Sequence, residues 1–243
     1  LKKDTVVSFG EDLLLMTVLE EYDEGIRDVE FSYDGVFEDI ISQIGFMPLP
    51  PYIKEKLQDK ERYQTIYSKI NGSSAAPTAG LHFTKELINA LEEKAVQIEY
   101  LTLHVGLGTF RPVKVEEVTE HVMHSEHYVI DEATAQRLNK AKKEGRKIIA
   151  VGTTTVRTLE SAVNADNILE KLEDDTSIFI YPPYDFKFVD SIITNFHLPQ
   201  STLIMMISAF AGKDKVFSAY NEAIKNEYRF FSFGDSMFID KDL

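Results

Sequence analysis

Cysteine is absent from this chain of 243 residues. Its absence excludes a disulfide framework, a cysteine-ligated zinc or iron–sulfur site and a thiol nucleophile, and it fits a reducing compartment. Long apolar runs are also missing: no segment approaches the length of a membrane span, and no signal peptide opens the chain. The sequence therefore predicts a cytoplasmic protein. Because it begins at Leu1 and in mid-pattern, we expect an N-terminal portion to precede it.

Basic residues are in deficit, with 26 Lys and Arg against 40 Asp and Glu and a net charge of −14. Phosphate binding normally uses Lys and Arg, so this balance alone argues against a nucleic-acid partner. The deficit is concentrated in residues 1–50, which hold 12 acidic and 3 basic residues against 28 and 23 in the remainder. A local basic groove is still possible, because the field depends on how charges are arranged.

Residues 1–50 have the pattern of a separate piece, with three short strands, one short helix and a proline-rich boundary at 48–51. Three short strands cannot close a hydrophobic core alone, and we therefore expect a further segment of the chain to complete it. Residues 51–243 alternate between helix and strand patterns, which predicts an α/β sheet domain. The expected helices cover 84–95, 131–143, 153–162, 202–211 and 213–225, and the expected strands cover 98–105, 147–151, 177–181, 191–194 and 228–233.

Small residues dominate the segment 72–84, which precedes a helix and includes His82. Such residues let backbone N–H groups approach a ligand, although a flexible linker is the alternative. Gly106, Gly108 and Thr109 follow a strand and resemble half of a glycine-rich phosphate loop. The third glycine is lacking, so a turn that wraps an adenosine or a methionine carboxylate, or a plain tight turn, is equally compatible.

Histidines are densest at His121, His124 and His127, with Glu126 among them. Their spacing suggests a metal site, but neither a helix nor a strand would bring all three rings together easily. General acid–base work suits His124 and Glu126 better, because imidazole titrates near neutral pH. A polar strand edge is the structural alternative.

Polar residues also follow two predicted strands. In open α/β sheets ligands bind at the carboxyl ends of strands, where Gly152, Thr153, Thr154 and Arg157 could hold a carboxylate or phosphate. Helix capping and a surface arginine are the alternative. The other set, Asp190, Asn195 and His197, flanks the strand 191–194, and a buried, hydrogen-bonded histidine is the alternative there.

These stretches, in this order, resemble the S-adenosylmethionine:tRNA ribosyltransferase-isomerase family of queuosine biosynthesis. The resemblance extends from near residue 1 to Ile239, and no single motif carries it. The chain departs from the family at Pro183, where glycine is usual, and it lacks a glycine-rich turn before Thr176. The matching runs are 49–53, 61–65, 75–84, 102–110, 123–126, 151–154, 157–160, 194–199 and 228–232.

The resemblance implies a mixed-sheet α/β domain with a small inserted β-barrel, of which residues 1–50 would be the C-terminal part. It implies transfer and isomerisation of the ribosyl part of S-adenosylmethionine onto 7-aminomethyl-7-deazaguanine at the tRNA wobble position. The products would be epoxyqueuosine, adenine and methionine. S-Adenosylmethionine would be a co-substrate and the modified tRNA a partner, and we expect no metal, no membrane contact and a monomer.

We assign roles from what this chemistry requires, since the resemblance does not supply them. The predicted acid–base residues are His124, Glu126, His104 and Asp190. The predicted donor-binding residues are Gly106, Gly108, Thr109, Gly152, Thr153, Thr154, Arg157, His82, Asn195 and His197. Arg62, Arg111 and Arg229 are predicted to contact tRNA phosphates.

Three other functions remain as alternatives. A methyltransferase would need a fuller glycine-rich loop than residues 104–110 supply, together with a doubly wound strand order. A metal hydrolase would use the histidines of 121–127. A non-catalytic RNA-binding module is disfavoured by the acidic balance and the many polar glycine turns.

Overall fold

The structure is a computed structural model, which describes residues 1–46, 49–50, 52–55, 57, 59–106, 118, 121 and 123–242. The chain divides into two compact units, residues 1–48 and residues 49–243. Both combine helices with small sheets, so the predicted mixed α/β fold is confirmed.

The first unit is an antiparallel sheet of three strands followed by one helix. Strands β1 (Val6–Phe9), β2 (Leu14–Glu21) and β3 (Arg27–Tyr33) pair in the order β1-β2-β3, and helix α1 spans Phe37–Ile44. Leu14 and Val18 of β2 and Ile40 of α1 are the hydrophobic residues buried among those described. Many apolar side chains of this unit are exposed, including Val6, Phe9 and Phe31.

The second unit carries two sheets of three strands. One has the antiparallel order β4-β5-β7; in the other, β6 and β8 are parallel and β9 is antiparallel to β8. The strands are β4 (Thr102–His104), β5 (Glu126–Val129), β6 (Ile149–Val151), β7 (Glu173–Thr176), β8 (Ser191–Asn195) and β9 (Ser236–Asp240). The helices are α2 (Lys85–Glu93), α3 (Glu132–Lys143), α4 (Thr153–Ala162), α5 (Thr202–Ala211) and α6 (Lys213–Lys225).

Helix α4 lies at the centre of this unit and contacts strands of both sheets. Val156 and Leu159 of α4 pack in the main core with Tyr128 of β5, Ala150 of β6 and Ile192 of β8, all of them at most 2% exposed. Because α4 is fixed between the sheets, the side chains on its first two turns have defined directions. These turns carry several of the predicted site residues.

Side-chain caps explain why α2 and α3 begin where the sequence predicts. Thr84 Oγ1 accepts a hydrogen bond from Leu87 N at 3.2 Å, and Asp131 Oδ1 accepts one from Thr134 N at 3.0 Å. Each bond satisfies an amide group that has no partner within the helix. Gly145, after α3, has a φ of +72°, a left-handed conformation that favours glycine.

Two predicted strands were wrong. The structure has no strand at 177–181 or at 228–233; the strands here are β7 (Glu173–Thr176) and β9 (Ser236–Asp240). β7 is mostly acidic and has no alternating pattern, but it pairs with β5 along its whole length. The predicted strand 98–105 is shortened to β4 (Thr102–His104). Ile149 of β6 is 45% exposed. Tertiary pairing has overridden local propensity at these places.

Candidate active site

Strand β5 sends its side chains to two opposite faces of the sheet, as any strand does. Tyr128 and Glu126 lie on the inner face and are 1% and 3% exposed. Glu126 accepts a hydrogen bond from Nη1 of Arg157, on α4, and the two side chains form an ion pair. His127 lies between them in sequence and therefore on the outer face.

Arg157 is only 5% exposed, so it is not the surface arginine that the sequence left open as an alternative. Within the described part of the chain its Nε and Nη2 atoms are buried and have no hydrogen-bond partner. Nε and Nη2 are neighbours on one edge of the guanidinium, so their N–H groups form a fork that fits a planar anion bidentately. An unsatisfied buried charged donor is costly, so this edge is suited to a ligand.

Arg157 lines a cleft in the second unit, with Nε and Nη2 buried beneath its surface. His121 and His124 reach it from the segment before β5 and join Glu126 and Arg157. His121 is partly buried, with its ring edge-on to Phe179 at 5.1 Å between centroids, whereas His124 is exposed. Apolar side chains form the remaining wall, among them Met123, Phe179, Leu203 and Met206. The cleft thus combines two imidazoles with a buried ion pair and an apolar wall.

His104 lies on the outer face of the same sheet. It is opposite His127 in the pairing of β4 with β5, and the two rings stack at 6.2 Å between centroids. His127 Nδ1 is 3.0 Å from Asp175 Oδ1 of β7. A side chain at Gly72 would place its Cβ 2.9 Å from His104 Nδ1, so the small-residue segment packs against this ring. The structure therefore does not bring His104 together with Glu126.

Asp190 lies at the start of β8, away from the carboxyl ends of the strands. Its Oδ1 is 2.7 Å from Lys142 Nζ and its Oδ2 accepts a hydrogen bond from Ile148 N at 2.9 Å. Asn195 ends the same strand, about 16 Å away at ~3.3 Å per residue. Both oxygens of Asp190 thus stabilise the start of the parallel strand pair.

Asn195 organises a second polar group at the carboxyl ends of the strands. Its Nδ2 donates to His82 Nε2 at 2.9 Å and to the Phe231 carbonyl oxygen at 3.1 Å, and its Oδ1 accepts from Thr78 Oγ1 at 3.3 Å. Burial lowers the pKa of His82, which fits a neutral ring that accepts at Nε2. Phe231 has a φ of +70°, a conformation that costs a non-glycine residue about 1–3 kcal/mol.

Gly152 joins this polar group to α4. Its φ is +89°, and a Cβ there would be 3.6 Å from Cβ of Ala79, which lies in the short 3-10 helix Thr78–His82. The start of α4, with Gly152, Thr153 and Thr154, therefore lies beside the segment that carries His82. Thr153 also precedes Arg157 by one turn on the same face of α4.

His197 is held by hydrogen bonds in the way expected of a structural histidine. Its Nε2 is 2.9 Å from Thr194 Oγ1, and its backbone N–H donates to Tyr220 OH at 2.7 Å. Burial lowers its pKa to about 4, so the ring is neutral at pH 7.

A pH-dependent stability follows from His197. The unfolded chain binds a proton on this ring below its ordinary pKa of 6.5, and the folded chain does so only near 4. Its contribution is fully present above 6.5 and is lost as the pH falls towards 4, to a total of ~2–3 kcal/mol by pH 4.5. The free energy of unfolding in urea should fall between pH 7.5 and pH 4.5 in both proteins. We expect this fall to be ~2–3 kcal/mol smaller in His197→Gln than in the parent. Equal falls would contradict it.

Two of the predicted tRNA contacts, Arg62 and Arg229, are not among the residues that line the cleft. Arg62 lies over the Phe233 ring, with Cζ 5.9 Å from the centroid. The side chain of Arg229 is 76% exposed and its Nη2 is 3.2 Å from Asp235 Oδ1. Gly106 has open space where a side chain would be. Gly108, Thr109 and Arg111 lie outside the described residues.

Glu160 is a buried carboxylate whose role the sequence did not reveal. It is 4% exposed, and its oxygens accept from the backbone N–H groups of Lys187, Phe188 and Val189 at 2.9–3.1 Å and from Tyr184 OH at 3.3 Å. The available signal was its place in the run 157–160, three residues after Arg157. It fixes the segment that leads into β8.

Among the described residues, no group of three or more His, Cys, Asp or Glu side chains is placed to hold a metal ion. His121 and His124 face the cleft, while His127 points to the opposite face of β5. In the same residues, no helix combines the length and the hydropathy that crossing a membrane requires.

Comparison with known proteins identifies the family. The profile of the family described as queuosine biosynthesis protein matches residues 1–239. A curated relative, the S-adenosylmethionine:tRNA ribosyltransferase-isomerase of Clostridioides difficile (strain 630), is 58% identical over 238 residues, which cover 98% of this chain and 70% of the relative. The chain belongs to the S-adenosylmethionine:tRNA ribosyltransferase-isomerase family.

A solved structure of this transferase family agrees with the fold. The crystal structure of S-adenosylmethionine tRNA ribosyltransferase from Thermotoga maritima is 37% identical, with a TM-score of 0.54. The match covers 98% of this chain and 66% of that one, so the chain spans about two thirds of the solved protein. The family acts in queuosine biosynthesis, a tRNA modification, as the resemblance implied.

Proposed function

We propose that this chain transfers the ribosyl part of S-adenosylmethionine onto 7-aminomethyl-7-deazaguanine at the tRNA wobble position and isomerises it. Epoxyqueuosine forms, and adenine and methionine leave. Membership of the family supports the reaction class. The cleft supports a site for this reaction. It is lined by His121, His124, Glu126 and the buried Arg157, whose Nε and Nη2 have no hydrogen-bond partner among the described residues.

The reaction needs proton transfers at defined atoms. A base removes a proton from the ribose carbon beside the sulfonium, and an acid assists the departure of adenine. His124 is the exposed imidazole of the cleft and carries proton transfer in this proposal, with Glu126 as its neighbour. Because Glu126 already bonds Arg157, it also orients that guanidinium. His104 and Asp190 take part in proton transfer only if the substrate reaches the outer face of the β4-β5-β7 sheet or the start of β8.

Further residues contact the donor and the tRNA. Arg157, with Gly152, Thr153 and Thr154 at the start of α4, contacts S-adenosylmethionine. His82, Asn195 and His197 support this edge of the sheet. Gly106, Gly108 and Thr109 lie against the adenosine. Arg62, Arg111 and Arg229 contact phosphates, which positions an anticodon base splayed from its stack.

We also propose that the chain comprises two domains. Residues 1–50 are the C-terminal part of a small inserted β-barrel domain, which the antiparallel β1-β2-β3 sheet and its exposed apolar residues support. Residues 51–243 form the catalytic domain. The protein acts as a monomer in the cytoplasm without a metal.

Adenine release tests the function. The full-length protein is mixed with S-adenosylmethionine and tRNA that carries the aminomethyl-deazaguanine base, with unmodified tRNA as control. We expect adenine only with the modified tRNA, and label in the donor's methyl group should remain in methionine. Label in the tRNA would instead support a methyltransferase, and no adenine from folded, donor-binding protein would overturn the proposal.

A further inference from the structure

The unpartnered edge of Arg157 has a definite chemical preference. We propose that the cleft binds the methionine part of the donor, with its α-carboxylate on Nε and Nη2 of Arg157; this inference rests on the proposed function. Glu126 then acts as a positioning residue, because it holds Nη1 and leaves the opposite edge of the guanidinium for the ligand.

A carboxylate matches this edge in shape and charge. Nε–H and Nη2–H are parallel donors, and a planar carboxylate accepts both at once. Glu126 pairs with Nη1, so the ligand carboxylate and Glu126 contact different N–H groups of the guanidinium. A phosphate of RNA would bring its sugars with it into a cleft with an apolar wall, which disfavours it.

The apolar wall suits the rest of a methionine chain. Met123, Leu203 and Met206 provide flexible apolar surface for the two methylene groups. Phe179 adds an aromatic ring, which favours a cation such as the sulfonium of the donor. Each part of the methionine chain therefore has a matching group in the cleft. Arg157 matches the carboxylate, the apolar side chains match the methylene groups, and Phe179 matches the sulfonium.

The start of α4 reinforces the carboxylate site. Arg157 follows Thr153 by one turn, about 5.4 Å along the axis, on the same face of α4, and the N-terminus of a helix favours anions. Two other threonines of this helix are occupied: Thr155 Oγ1 donates to the Val151 carbonyl at 2.7 Å, and Thr158 Oγ1 to the Thr154 carbonyl at 3.1 Å.

The test compares ligands that differ only in the carboxylate. Calorimetric binding of S-adenosylmethionine is measured against its decarboxylated analogue, and of L-methionine against L-methioninamide. In the parent protein we expect each carboxylate to strengthen binding about 30-fold or more, because a buried charge-assisted pair is lost without it. In the double variant Arg157→Gln/Glu126→Gln, the preference within each pair should fall to within about threefold.

The double variant avoids leaving Glu126 as a buried unpaired charge, which could prevent folding. Its matched control is Arg137→Gln/Glu99→Gln, which removes an ion pair between α3 and the segment before β4; the carboxylate preference should persist there. Equal binding of both donors by a parent protein that releases adenine would overturn this site and leave the function standing. A parent that binds neither donor and releases no adenine would overturn both. Competition by inorganic phosphate at the donor's own affinity would overturn the carboxylate assignment.

Discussion

His124→Gln lowers the turnover number for adenine release by about 10²–10⁴-fold, the usual contribution of one general acid–base group. His124 is exposed at the mouth of the cleft, so the substitution removes no buried contact and should leave folding intact. Single-turnover adenine release with saturating donor and modified tRNA measures the effect. Donor affinity should change little, because Arg157 and not His124 holds the donor in this scheme.

His104→Gln is the informative comparison for His124. His104 stacks on His127 on the outer face of the sheet, away from Glu126 and Arg157. Loss of turnover in His124→Gln with a change of less than about tenfold in His104→Gln places proton transfer in the cleft. The reverse pattern would place it on the outer face, and near-normal turnover in His124→Gln would remove His124 from the catalytic residues.

The sequence predicted helices better than strands, for a physical reason. Helix starts are written locally, by a capping residue such as Thr84 or Asp131 before an amphipathic stretch. Strand β7 is specified by its partner: residues 173–176 have little β propensity, yet each pairs with a residue of β5. An apolar run such as 177–181 has the composition of a strand but lacks such a partner in the structure.

The sequence could single out individual candidate site residues, but it could not predict which of them lie together in the fold. The sequence singled out His121, His124, Glu126 and Arg157, and the structure brings these four side chains to one cleft. Periodicity alone could not tell that His104 and Glu126 lie on opposite faces, because that depends on the register of β4 with β5. The contribution of Leu203 and Met206 was also missed, since an apolar stretch on α5 indicates burial whether or not one turn borders a cleft.

Glu160→Gln is expected to lower the free energy of unfolding of the full chain by ~3 kcal/mol. The carboxylate accepts hydrogen bonds from three consecutive backbone N–H groups and one tyrosine hydroxyl in a buried place. An amide of the same shape supplies one acceptor oxygen and turns an NH₂ towards donors, so buried N–H groups lose their partners. The same buried carboxylate raises the pKa of Tyr184, second to the effect of burial itself.

Urea unfolding at pH 7 measures this loss, with Glu222→Gln as the matched control. Glu222 lies on the exposed surface of α6 near Lys225, and its substitution should change stability by less than about 0.5 kcal/mol. If Glu160→Gln were as stable as the control, the hydrogen bonds at Lys187–Val189 would contribute little net free energy. If it is destabilised as expected and its donor affinity is unchanged at a temperature where it stays folded, Glu160 stabilises the approach to β8 without contacting the donor. That outcome would separate the structural carboxylate of α4 from the ligand-binding arginine one turn before it.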